Sequence, residues 1–372
     1  MEIKAAVVRE KKAKFKIEGI SLDTTLRANE VLVKVVATGL CHTDLTIRDG
    51  LIVPFPTPSV LGHEGAGIVE QVGTAVTKVK KGDHVVLGPS SCGECEQCIS
   101  GHPSYCTNMM QLTFSGRRTD GSCPYHDHSG SDVSGLFFGQ SSFANYSLTN
   151  ERNVVKVRKD VPLEILGPLG CGFQTGAGSV LNLMKAGAGE SIVIIGVGSV
   201  GLAGLMAAKA AGCTTIVAVD IHDSRLELAK QLGATHTINS KTHKISETIQ
   251  KEIMPGGLHY ALDTTGRNEI ITEALNSLRP LGHCVLVIVS TEKLEINGMS
   301  LMGKTISFGL EGDSLPDVFI PRLIDLYKGG LFPFDKLIKF YDFEDINKAV
   351  EDSEKELPLK QYCECLSDHM DF

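Results

Sequence analysis

Hydrophobic positions do not keep one period along this chain. Between Lys4 and about Leu87 they fall into short alternating runs, and Glu30–Ala37, Glu64–Val72 and His84–Leu87 read as strands punctuated by glycines. From Pro89 to Asn150 the period disappears and Gly, Ser, Asp, His and Cys dominate, which predicts loops held by something other than an apolar core. From about Cys171 to Leu310, apolar strands at Ser191–Ile195, Thr215–Val219, His259–Asp263 and Cys284–Ser290 alternate with helical segments such as Asp223–Leu232. That alternation predicts a parallel α/β unit. Beyond Gly312, helical spacing returns at Asp317–Tyr327 and Phe343–Lys355.

Composition narrows the function classes. A chain of 372 residues exceeds the roughly 250–300 at which one core stops growing, so two domains are expected. Hydrophobic residues at 42% and charged residues at 22% are ordinary for globular proteins and exclude fibrous or disordered readings. The formal charge of −8 and the lack of any long Lys/Arg run argue against a nucleic-acid partner, which needs a basic stripe. Ser191–Ala208 carries no charge but holds four glycines, so it is not read as a membrane span. Glu2, Lys4 and Arg9 break up the start of the chain, which lacks the apolar centre of a signal peptide, and a cytoplasmic location is expected. Of the eleven cysteines, five fall between Cys92 and Cys123, a distribution that points to metal rather than disulfides in a reducing compartment.

Ser191–Ile195 runs straight into Gly196-Val197-Gly198-Ser199-Val200-Gly201 and then into small residues up to Ala211. In this strand–turn–helix context Gly196 allows a tight turn, Gly198 close approach of backbone to a pyrophosphate, and Gly201 close helix packing. Asp220 follows nineteen residues past Gly201, where a carboxylate accepts from ribose hydroxyls and repels a 2′-phosphate, so NAD is expected over NADP. Alone, such a glycine run is as consistent with a mere chain turn as with a nucleotide site; strand, helix and Asp220 together favour the dinucleotide.

Cys92-x2-Cys95-x2-Cys98-x7-Cys106 offers four thiolates within fifteen residues, enough for a closed tetrahedral zinc site. An iron–sulfur site or reduced spectator thiols are the alternatives, although the spacing departs from that of bacterial ferredoxins. A dispersed set is also present: Cys41 in GLCHTD, His63 in GHEG and Cys171 in GCG. Two thiolates, an imidazole and one open position make a catalytic zinc arrangement, whereas singly each is more often a buried core residue.

The order GHEGAGIV from Gly62 to Val69, the four-cysteine run, and GVGSVG with Asp220 resembles the zinc-dependent medium-chain alcohol dehydrogenases over nearly the whole chain. The resemblance implies an α/β protein with a β-rich GroES-like catalytic domain over 1–170, a Rossmann doubly wound NAD-binding domain over 171–310, and a segment 311–372 returning to the first. It implies catalytic zinc on Cys41, His63 and Cys171, structural zinc on Cys92, Cys95, Cys98 and Cys106, Glu64 behind the catalytic metal and Asp44 as partner of His63. Cofactor contacts are implied for Gly196, Val197, Gly198, Ser199, Val200, Gly201, Asp220, Arg225, His42 and Lys360. Thr43 matches the hydroxyl that accepts the alcohol proton, and Phe143 and Gly88 match the substrate pocket.

The stretch Phe137–Ala144 (FFGQSSFA) and GRRTDGS from Gly116 to Ser122 look like aryl-alcohol dehydrogenases, so oxidation of benzyl-type alcohols to aldehydes with NAD and two zinc ions per chain is the expected activity. Glutathione-dependent formaldehyde dehydrogenases of the same superfamily carry a related FxQSSFA stretch and remain an alternative, as does a silent NAD-binding protein. A homodimer or homotetramer is expected, pairing near Cys284–Val289. Two departures stand out. Thr46 occupies the place of a relay histidine, and the C-terminal stretch with Cys363, Cys365 and His369 is atypical; a mobile polar tail rather than a metal site is expected there.

Overall fold

The computed structural model describes residues 1–288, 293–355 and 360–365. The chain separates into two compact units. One contains Met1–Cys171, Leu315–Pro321 and the residues from Ile338 on; the other contains Gly172–Ser314 and Arg322–Leu337.

The first unit is built on two sheets. Seven strands form the larger, in the order Ile338–Asp342, Lys360–Glu364, Glu30–Gly39, Gly65–Val72, His84–Leu87 and Val154–Lys156, with Tyr146–Asn150 also pairing with Glu30–Gly39. Glu30–Gly39 is buried along almost its whole length because it is sandwiched between neighbours and covered on both faces. That explains its near-continuous apolar run. The smaller sheet orders Ser59–Val60, Glu2–Val8, Lys16–Leu22 and Tyr125–His126. A core of Ile3, Val7, Ile20, Leu40, Phe143 and Tyr341, among others, joins these elements. The stretch expected to be irregular, Pro89–Asn150, also contains short helices at Glu96–Ile99 and Met109–Phe114 and strands at Tyr125–His126 and Tyr146–Asn150.

The second unit holds a six-stranded, wholly parallel sheet in the order His236–Asn239, Thr215–Asp220, Ser191–Ile195, Leu258–Asp263, Leu278–Leu286, Thr305–Phe308. The strand order reverses beside Ser191–Ile195, which puts the glycine turn at the switch point where doubly wound sheets bind ligands. The fourth expected strand begins earlier, at Leu278 opposite Leu258, shifts register before His283 pairs with Tyr260, and ends at Leu286. Val289 and Ser290 lie outside the described residues. The strand of Cys284 is not a sheet edge: Thr305–Phe308 pairs along it and takes the edge instead. Of the expected late helices, the first spans Pro316–Lys328 and the second Ile346–Glu354, its lead-in Phe343–Asp345 wound more tightly as a 3₁₀ turn.

Candidate active site and metal centres

Cys41 caps the short helix His42–Arg48, and Asp44 on its first turn ties the start of that helix to the Gly62–His63 segment. The Asp44 carboxylate, fully buried, accepts from the Cys41 N–H at 2.9 Å, from the Gly62 N–H at 3.1 Å and from His63 Nδ1 at 3.0 Å. The last bond suits a proton on Nδ1, which would leave Nε2, facing Cys171 Sγ at 3.3 Å, as the nitrogen open to a metal. Cys41 Sγ, His63 Nε2, Cys171 Sγ and a Glu64 carboxylate oxygen all lie within 4.8 Å of one another. A tetrahedral ion with Zn–S near 2.3 Å and Zn–N near 2.0 Å would separate thiolate and imidazole by about 3.6 Å, which these donors fit with a slight outward movement.

The electrostatics suit a cation. The Cys171 thiol hydrogen bond, with the Lys360 ammonium and His63, holds the Cys41 thiol well below its ordinary range despite burial. Burial pushes His63 down, but the Asp44 carboxylate and Cys41 outweigh it and hold the imidazole well above its usual range. Glu64 Oε1 accepts from Lys360 Nζ at 2.9 Å, and burial raises this carboxyl against the pull of that ammonium. Its other oxygen, Oε2, is buried without a hydrogen-bond partner, an orphaned acceptor in the donor group. Gly39 makes room for it, since a Cβ there would lie 2.0 Å from Oε2.

The Phe137–Ala144 stretch braces this centre. Gln140, fully buried, accepts from the Gly65 N–H at 3.1 Å and donates to the His63 carbonyl at 2.9 Å, clamping the backbone on either side of His63 and Glu64. Ser142 and Phe143 give their N–H groups to the Gly62 and Leu61 carbonyls at 2.9 and 3.0 Å. Phe138 has φ of +50°, a left-handed conformation costly for a bulky residue, and its ring stacks on His63 with centroids 4.5 Å apart and planes 22° off parallel. Phe137 and Phe114 meet Phe138 at 4.8 and 5.8 Å, and Phe55 meets Phe137 at 5.2 Å. The result is an aromatic nest against one metal donor.

The four-cysteine run forms a second, separate cluster. All four Sγ atoms lie within 4.8 Å of one another, with Cys92–Cys98 and Cys95–Cys106 both at 4.0 Å. A Zn–S bond near 2.3 Å sets tetrahedral edges of about 3.8 Å, so the spacing suits an ion of that size and is far too long for disulfides. N–H groups of Cys98 and Thr107 hold the Cys95 thiol down to about 5, whereas burial pushes Cys98 up to about 12.

In the second unit, Gly196 takes φ of +83°, and a Cβ on Gly201 would lie 2.0 Å from the Gly196 carbonyl oxygen, so both positions require glycine. Around Gly198, at the start of the helix Ser199–Ala211, nothing lies within 4 Å of where a Cβ would be. Asp220 is buried; its Oδ2 accepts from the Val197 N–H at 3.0 Å and lies 3.6 Å from Arg225, and its Oδ1 accepts from the N–H groups of Ile221 and His222 at 2.8 and 3.0 Å.

Residues 27–159 match the model of the alcohol dehydrogenase GroES-like domain, and residues 199–315 match that of the zinc-binding dehydrogenases. A geraniol dehydrogenase of Castellaniella defragrans is 41% identical over 361 residues, covering 96% of each chain. The chain belongs to the zinc-dependent medium-chain alcohol dehydrogenases. The crystal structure of benzyl alcohol dehydrogenase from Acinetobacter calcoaceticus superposes on this alcohol dehydrogenase with a TM-score of 0.94 at 47% identity, covering 98% of this chain and 100% of that one. An S-(hydroxymethyl)glutathione dehydrogenase of Paracoccus denitrificans is 32% identical over 361 residues, 94% of this chain and 96% of that protein.

Several residues sit differently in this alcohol dehydrogenase than the sequence suggested. Phe143 does not open onto a cleft: it is fully buried in the core, edge-on to Phe15 at 5.4 Å, and it fills the space beside Gly62. The rings that reach the donor group are Phe138, stacked on His63, and Phe137, edge-on to it at 5.5 Å. Lys360, expected at a pyrophosphate, spends its ammonium on Glu64. Thr43 Oγ1 lies 3.7 Å from Cys41 Sγ, His42 is exposed, and the Thr46 hydroxyl donates to the Thr43 carbonyl at 3.0 Å within the helix. Gly88 is buried with room for a small side chain, the nearest atoms being 3.7 Å from a Cβ. Cys363 is buried in the core rather than part of a mobile tail, Cys365 is half-buried, and His369 lies outside the described residues. No described helix is long and apolar enough to cross a membrane.

Proposed function

We propose that this enzyme oxidises primary alcohols of the benzyl type to aldehydes with NAD, holding catalytic zinc on Cys41, His63 and Cys171 and a structural zinc on Cys92, Cys95, Cys98 and Cys106. The observation that carries the substrate reading is the aromatic nest: Phe138 lies face to face with a metal donor, backed by Phe114 and Phe137. Such a surface favours a flat ring or conjugated system over a short alkyl chain. The name and likeness of the benzyl alcohol dehydrogenase support it. When bound, zinc supplies a Lewis acid that lowers the pKa of an alcohol hydroxyl, and NAD supplies the hydride acceptor.

The chain's own residues do the rest. Asp44 fixes the tautomer of His63, Thr43 offers a hydroxyl beside Cys41 to take the alcohol proton, and Phe138 shields the site from water. Asp220, fixed by three backbone N–H groups, presents its charge where a 2′-phosphate would be repelled, which supports NAD over NADP.

The test measures NADH formation from benzyl alcohol, ethanol, and formaldehyde plus glutathione, on protein of known zinc content. We expect benzyl alcohol to lead in kcat/KM and Phe138→Leu to narrow its lead over ethanol about 2- to 12-fold, the range of an aromatic contact. Activity confined to the glutathione mixture, or silence with two zinc ions bound, would overturn this reading.

A further inference from the structure

Three consecutive residues of the Lys360–Glu364 strand each hold a different donor-bearing segment of the proposed catalytic zinc site. Lys360 Nζ donates to the carboxylate of Glu64, the neighbour of His63, at 2.9 Å. The Gln361 carbonyl accepts from the N–H of Leu40, the neighbour of Cys41, at 3.0 Å. The Tyr362 hydroxyl accepts from the N–H of Gly167, four residues before Cys171, at 3.0 Å. Alternation along a strand sends the side chains of Lys360 and Tyr362 to one face and leaves the intervening carbonyl for the neighbouring chain.

The Tyr362 contact has a specific need behind it. Gly167 opens the tight 3₁₀ turn Gly167–Gly170, so its N–H has no partner inside the turn, and Pro168 has no N–H to give. The site is fully buried, with Tyr362 wholly inaccessible. A Cβ on Gly167 would lie 2.2 Å from the Glu64 carbonyl oxygen and 2.3 Å from the Tyr362 hydroxyl, so the turn, the Glu64 backbone and the phenol pack in direct contact. The turn ends at Cys171, whose N–H donates to the Pro168 carbonyl at 3.3 Å.

We propose that Tyr362 is a positioning residue for the catalytic metal: its hydroxyl fixes the Gly167–Gly170 turn and so sets Cys171 Sγ against His63 Nε2. The inference rests on the zinc site proposed above. Its test is the release of zinc from holoenzyme to a chromogenic chelator, with cobalt-substituted protein as a spectroscopic check on the thiolate bands.

Tyr362→Phe keeps the ring, which packs edge-on to Phe340 at 5.7 Å, and removes only the hydroxyl. We expect one of two zinc ions to leave about 5- to 30-fold faster, the effect of one or two kcal/mol. The four-cysteine ion should keep its wild-type half-time. Phe340→Leu, which loosens the same packing but spares the hydroxyl, should leave both rates unchanged. Unchanged release from Tyr362→Phe, or equal acceleration by Phe340→Leu, overturns the proposal. Wild-type protein holding only one zinc overturns the zinc-site reading instead. If Tyr362→Phe does not fold, hydrogen exchange at the Gly167 amide of wild-type holoenzyme decides: strong protection is expected, and rapid exchange removes the basis of the claim.

Discussion

Gln140→Leu asks how much the geometry of the Cys41, His63 and Cys171 donor group depends on a residue outside it. The side chain is fully buried; it satisfies the Gly65 N–H and the His63 carbonyl directly and reaches the Gly88 carbonyl at 3.4 Å. Leucine has nearly the same volume, so packing changes little, but two buried backbone groups lose their partner at about 1–3 kcal/mol each. Leucine also spares the amide its own desolvation, which places the expected loss in the lower half of that sum, about 2–4 kcal/mol. Against a typical total of about 5–15 kcal/mol this is large and concentrated on the loop bearing His63 and Glu64. The chain has no tryptophan, so calorimetry is the natural readout, paired with zinc stoichiometry. The expected result is a lower melting transition for the first unit and a zinc content falling from two toward one. A loss under about 1 kcal/mol with both ions retained would refute the claim that Gln140 holds the donor loop.

Gly201→Ala forces a Cβ to 2.0 Å from the Gly196 carbonyl oxygen, which no side-chain rotation relieves, and should cost about 1–3 kcal/mol while abolishing NAD binding and leaving zinc content intact. Unchanged NAD affinity by titration calorimetry would count against the turn as the nucleotide site. In metal-free protein at neutral pH, Cys95, held down to about 5, should react with iodoacetamide before Cys98, pushed up to about 12; peptide mass spectrometry reads the order. Arg118 pairs with Glu30 through two bonds of 2.8 and 3.1 Å, both residues buried, so Arg118→Met should destabilise by about 3–5 kcal/mol in chemical denaturation. The same substitution should flatten the acid limb: burial raises the Asp23 carboxyl, but Arg118 and the Thr25 N–H bring it to about 2. A depressed carboxylate stabilises the fold above its unfolded value of about 3.9 and loses that contribution as pH falls through about 2.

The sequence announced most clearly what depends on local spacing. Cys92, Cys95, Cys98 and Cys106 lie within one short loop, and Gly196, Gly198 and Gly201 within one turn, so ligand type and interval alone set their geometry. The dispersed donors Cys41, His63 and Cys171 were joined only by resemblance, because their convergence depends on sheet register far along the chain. The Phe143–Phe138 exchange shows the limit. Both are phenylalanines in one stretch, yet Phe138, in a left-handed backbone conformation, stacks its ring on His63 while Phe143 points into the core. Gln140 and Tyr362 carried no signal of their own, since a buried amide or phenol declares its partners only once distant backbone arrives beside it.

The C-terminal strand also bears on the order in which the protein can be made. Residues 360–362 leave the ribosome 189 to 191 residues after Cys171, counted from 171 to 360 and to 362, a delay of roughly 10–40 s at ordinary elongation rates. Through that interval Cys41, His63 and Cys171 exist in the nascent chain without the strand that binds their segments. The Cys92–Cys106 loop is complete as soon as its own fifteen residues emerge. If both sites take zinc as proposed, metal acquisition during synthesis is sequential: the local site can fill early from whatever pool the nascent chain meets, while the long-range site waits for the late strand that binds its segments.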